Sequence, residues 1–69
     1  MKNKIGERIK ELRIEKNISQ NALSELCKVK QSCVSKWERG ATLPPVDIII
    51  ILSKLFEVSS DYLLGITDY

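Results

Sequence analysis

The nine residues Gln31 to Arg39, QSCVSKWER, hold the side chains best suited to chemistry. Gln31, Ser32, Ser35, Lys36 and Arg39 fall at i, i+1, i+4, i+5 and i+8, which is one face of a 3.6-residue helix. That face has an amide, two hydroxyls, an ammonium and a guanidinium, and no carboxylate. An amide can pair bidentately with adenine. Lys and Arg can reach guanine or phosphate, and Ser lets a helix approach base edges closely. Cys33, Val34 and Trp37 fall on the opposite side and are expected to face a core.

A second group precedes it. Gln20 and Asn21 sit in the first turn of the preceding helical stretch, behind the N-cap candidate Ser19. Their amides lie beside a helix N-terminus, where an anion such as a phosphate is favoured. Glu38 lies on the flank of the QSCVSKWER helix and needs a cation if buried. Arg13, at the end of the first helix, is the candidate.

Other chemistries lack their residues. The chain contains no His and only two Cys. That leaves no His-based triad and no four-ligand zinc site, and no acid/base pair stands out. We expect no metal, no cofactor and no enzymatic activity.

The elements that must position these groups follow from periodicity. Residues 4–16 read as a first helix, with Ile5, Ile9 and Leu12 inward and Glu7, Lys10, Glu11 and Glu15 outward. Asn17 suits its left-handed end. The second helix follows Ser19, with Leu23, Leu26 and Cys27 as its apolar stripe. Lys28-Val29-Lys30 forms a turn pinned by Val29, and Gly40 ends the third helix. A loop, Ala41 to Pro44, leads to a fourth helix at 45–57. Its expected core stripe is Val46, Ile49, Leu52, Ser53 and Phe56. Ile48 and Ile51 are then left over, as a surface for a partner. Residues 60–64, capped by Ser59 and ended by Gly65, form a short fifth helix, and 66–69 are a tail.

Helices alone account for the whole chain, an all-α reading, and the composition is that of an ordinary globular protein. A chain of 69 residues is expected to be one domain, 43% hydrophobic and 29% charged. No apolar run approaches the ~20 residues that span a bilayer, and MKNKIGERIKEL lacks a signal-peptide core. We therefore expect a cytoplasmic protein. The net charge of +2 is unevenly placed. Residues 1–40 carry 10 basic and 5 acidic side chains, and residues 41–69 carry 1 and 4. A basic first half suits a polyanionic partner.

In order, the segments IGERIKELR, ISQNALSELCKV, VSKWERG, Pro44 and VSSDYLLG resemble the phage-repressor and Cro-type (XRE) helix-turn-helix family. The resemblance covers residues 5–65. It implies a compact five-helix, lambda-repressor-like domain whose helix-turn-helix spans 19–39. It implies base contacts from Gln31, Ser32 and Lys36, joined by Ser35, and a phosphate contact from Gln20. Asn21, Lys30, Arg39 and Thr42 are further candidate phosphate contacts. Arg13 and Glu38 match a buried ion pair found in several members. The implied partner is double-stranded DNA, bound by a homodimer on a two-fold operator with half-sites roughly 34 Å apart. Helices four and five, through Ile48, Ile51 and Tyr62, are the candidate dimer interface.

Three departures from the family pattern stand out. The usual turn glycine is Lys28, the usual Ser or Thr cap of the third helix is Lys30, and the loop after Gly40 has Ala41, Thr42 and Leu43 instead of basic residues. Cys27 and Cys33 are expected to be buried hydrophobes, with a redox switch as the alternative. A transcriptional regulator, most simply a repressor, is the reading these residues favour. An antitoxin or restriction-modification controller would use the same DNA chemistry with a protein antagonist or toxin as partner. A protein-interaction module that has lost DNA binding is the third reading.

Overall fold

The computed structural model describes residues 4–67. Five helices follow one another: α1 (Ile5–Glu15), α2 (Gln20–Cys27), α3 (Gln31–Arg39), α4 (Val46–Phe56) and α5 (Ser60–Leu64). No strand occurs among the described residues. Helix α3 packs against both α1 and α2, α4 against α2 and α5, and α5 back against α1. The expected order of helices holds, with ends moved by one residue where helices fray into caps.

Local chemistry explains most boundaries. Ser19 and Ser59 act as N-caps, accepting the amides of Ala22 and Tyr62 at 3.0 Å each. Gly40 and Gly65 end α3 and α5 in the left-handed conformation. Asn17, Lys28 and Glu57 also have φ near +57°. For Lys28 and Glu57 this costs on the order of 1 kcal/mol each. Lys28 thus takes the left-handed conformation that a glycine adopts without strain. Val29 follows half-buried against the core, its amide bonded to the Ser24 carbonyl at 2.9 Å. Lys30 begins α3 with no side-chain cap.

The core is Ile5, Ile9 and Leu12 of α1, Leu23 and Cys27 of α2, Val34 and Trp37 of α3, four residues of α4, and Leu63 of α5. The α4 contribution corrects the expected stripe. Ile48 is buried (4% exposed) with Ile49, Leu52 and Phe56, whereas Val46 is 76% exposed. At about 100° per residue, Ile48 lies only about 40° from Leu52 around the helix, and Val46 about 120°. Ile48 is therefore a core residue and not part of a partner surface. Ile50 and Ile51 take the exposed positions. In α2, Leu26 is exposed (51%) and Ser24 is buried in its stead. Ser24 fits the interior because its hydroxyl donates to the Asn21 carbonyl at 2.6 Å.

Two contacts fix α1 against α3. At Gly6 the backbones meet: a Cβ there would overlap the Trp37 carbonyl oxygen and lie 3.0 Å from that of Glu38. About two turns further on, Arg13 Nε donates to Glu38 Oε2 at 2.7 Å and Nη2 donates to Oε1 at 3.1 Å. The Glu38 side chain is only 3% exposed. The hydrogen bonds and charge of Glu38 hold the Arg13 guanidinium above its ordinary pKa, which keeps Arg13 charged. At the other end of α1, Arg8 stacks over the Tyr62 ring, 4.2 Å from its centre, and donates to the Tyr62 and Thr67 carbonyls.

Cys27 is buried and Cys33 is half-buried, both as free thiols. Burial pushes the Cys27 thiol up from its ordinary pKa, which keeps it protonated and slow to react.

Three outcomes are expected. Gly6→Ala should lower stability by about 1–3 kcal/mol, because backbone cannot move aside as a side chain can; a urea melt measures it. Arg13→Ala should cost roughly 3–5 kcal/mol by stranding the Glu38 carboxylate, seen as a lower thermal midpoint, and an unchanged midpoint would exclude the pair as a stabilising element. In native protein at pH 8, iodoacetamide should label Cys33 well before Cys27, with peptide mass spectrometry as the readout. Equal rates would mean that the α2 end opens readily.

Candidate nucleic-acid interface

The outward face of α3 is displayed as its spacing implies. Gln31, Ser32, Lys36 and Arg39 are exposed, and Ser35 is half-buried beside them. Arg39 lies back along its own helix, with Nε donating to the Ser35 carbonyl at 3.3 Å. Val34 and Trp37 anchor the opposite side in the core. The helix is therefore presented by its apolar residues, with its polar face free for a ligand.

The buried ion pair does not end at Glu38. Gln20 Nε2 donates to Glu38 Oε1 at 3.0 Å. Gln31 Nε2 then donates to Gln20 Oε1 at 2.6 Å. A continuous chain runs from α1 through α3 and α2 to the first residue of α3. Its polarity is dictated from the buried end. An ionised carboxylate only accepts, so Gln20 must turn its NH2 toward Glu38. Its carbonyl then faces Gln31, which must donate. Gln31 is left with its own carbonyl and one N–H pointing away from the chain.

Gln20 is therefore not the freely exposed amide expected from its place in the first turn. It is half-buried and its oxygen is occupied, which leaves one N–H for an outside acceptor. Asn21 is exposed, its amide 3.5 Å from Glu25 Oε1. Lys30 and Thr42 are exposed on either side of α3 in sequence. The link between Gln20 and Gln31 had no sequence signal beyond two amides eleven residues apart. It becomes visible only once α2 and α3 are crossed.

On α5 and α4, Tyr62 is half-buried and Ile51 is exposed. A shallow cavity of about 540 Å³ lies at the α4–α5 junction, lined by Glu57, Val58, Ser59, Asp61, Tyr62 and Thr67. Among the described residues no cluster of Cys, Asp and Glu could hold a metal ion, and no helix is long and apolar enough to cross a membrane.

Comparison with known proteins agrees with the geometry. Residues 9–63 match the helix-turn-helix family model. Repressor protein C2 of Salmonella phage P22 is 40% identical over 60 residues, covering 87% of this chain and 28% of that protein. The HTH-type transcriptional regulator YobD of Bacillus subtilis is 34% identical over 62 residues, 90% of this chain and 55% of that protein. The chain thus spans about half or less of these curated relatives. Among solved structures, the P22 c2 repressor in complex with a synthetic operator superimposes with a TM-score of 0.82 at 40% identity, covering 87% of this chain and 91% of that one. SinR, the master regulator for biofilm formation, in complex with DNA gives 0.78 at 36% identity, covering 87% and 97%. A five-helix fold, an outward polar α3 and a family match over most of its length converge: the chain belongs to the helix-turn-helix family of the phage-repressor (XRE, Cro/C1) type.

Proposed function

We propose that this domain binds DNA sequence-specifically as part of a transcriptional repressor, with α3 seated in the major groove of a two-fold operator. The observation that carries the reading is the polarity of Gln31. Its outward carbonyl and N–H match the N6 donor and N7 acceptor of adenine. A solvated glutamine would have no reason to be held in one orientation by a chain reaching into a buried ion pair. Ser32 and Lys36, with Ser35, complete the base-reading face.

Gln20, Asn21, Lys30, Arg39 and Thr42 serve the DNA backbone. The one free N–H of Gln20 points a phosphate toward the start of α2. A nine-residue helix reads only a few base pairs, so specificity calls for two copies on a symmetric site. Ile51 of α4 and Tyr62 of α5 are the residues we assign to that pairing. Such a regulator works in the cytoplasm, on the chromosome or on phage DNA.

Selection of bound sequences from a random duplex pool at two salt concentrations tests this reading. A palindrome with half-sites one helical turn apart is the expected product, with adenine at the position read by Gln31. Gln31→Ala should cost about 1–3 kcal/mol at that one position and leave the others unchanged. A uniform loss across unrelated sequences would count against direct readout, and no enriched sequence at all would defeat the proposal.

A further inference from the structure

We infer that Lys28, in the turn between α2 and α3, is a DNA-backbone contact, held in a strained conformation because its charge acts outside the fold. The inference rests on α3 being the groove helix, as proposed above. Lys28 has φ 59° and ψ 43°, and its amide donates back to the Glu25 and Ser24 carbonyls. The next amide, that of Val29, closes on Ser24 as well. This hydrogen bonding fixes the left-handed conformation whatever residue is present, and glycine would adopt it without strain.

The lysine ammonium makes no polar contact that would offset the strain. Lys28 is exposed, and its ammonium has no hydrogen bond or ion pair among the described residues. Strain alone does not mark a contact, since Glu57 ends α4 in the same conformation. Place and charge distinguish the two. Lys28 lies three residues before Gln31 and two before exposed Lys30, on the N-terminal side of α3, the end that bears the oriented amide. The loop on the other side of α3, Ala41 to Leu43, is exposed and carries no cation. The cations flanking the reading helix therefore come from the turn. A polyanion backbone passing the α3 N-terminus is the ligand that a flexible ammonium there fits, and such a contact adds affinity without base preference. An outlier in backbone geometry beside a binding face has this functional reading when the fold itself gains nothing from it.

Salt-dependent binding to the selected operator, measured beside thermal unfolding, separates charge from strain. Lys28→Gln keeps the strain and removes the charge. Its plot of log affinity against log salt should be shallower by about 0.9 for each copy bound, or about eightfold per copy between 1 M and 0.1 M salt. Its base preferences and thermal midpoint should not change. Lys28→Gly should show the same shallower slope but melt higher, by roughly 4 °C or more. Lys28→Arg should match the wild type in slope. A Lys28→Gln protein with the wild-type slope overturns the inference, as does one that loses affinity equally at every salt concentration. A wild-type chain that enriches no operator defeats the groove-helix reading itself, before any variant is compared.

Discussion

The ion pair between Arg13 and Glu38 is the interaction on which the rest of the domain depends. A carboxylate only 3% exposed would be strongly destabilising alone. It is tolerated because both oxygens are filled: Oε2 by Arg13 Nε, and Oε1 by Arg13 Nη2 and Gln20 Nε2. The third guanidinium nitrogen is also spent on structure, with Nη1 donating to the Ile18 carbonyl at 2.9 Å in the α1–α2 link. One buried charge thus ties together α1, the first connection, α2 and α3. A hydrophobic pair of similar volume could stabilise the fold as well, but it could not impose a direction on the Gln20 and Gln31 amides.

That direction is how stability becomes function here. Most hydrogen bonds in a small helical domain satisfy the backbone and carry no information to the surface. The chain from Arg13 to Gln31 begins at a group that can only accept and ends at a group on the binding face. Each link has one orientation available. The exposed amide is thereby oriented before any ligand arrives, which reduces the rotamer entropy lost on binding.

A domain of this size buries little surface, so close approach of backbones matters more than in a larger protein. The contact of Gly6 with the Trp37 carbonyl brings α1 within reach of α3 and sets the distance across which Arg13 meets Glu38. Arg8, bonded to the Tyr62 and Thr67 carbonyls, performs the same service between α1 and α5. Helix α1 is thus the brace of the molecule. Its inner face combines three aliphatic residues, one glycine and two arginines, where periodicity alone suggested a simple apolar stripe.

Much of this was legible in the residues themselves. Ser19, Ser59, Gly40 and Gly65 mark helix ends because each satisfies or relaxes a backbone group locally, with no help from the rest of the chain. The face of α3 was legible for the same reason: 3.6-residue spacing separates Gln31, Ser32, Lys36 and Arg39 from Val34 and Trp37 whatever they pack against. Where a stretch is apolar all round, periodicity cannot choose a side. The run Ile48 to Leu52 needed the neighbouring helices to decide that Ile48 faces inward and Ile50 and Ile51 outward. Ser24 is buried where Leu26 was expected, because a short hydroxyl can be satisfied within its own helix turn. The link from Glu38 through Gln20 to Gln31 lay furthest from the sequence. It joins residues eleven and eighteen positions apart, and only the crossing of α2 over α3, set by the core beneath them, brings those amides together.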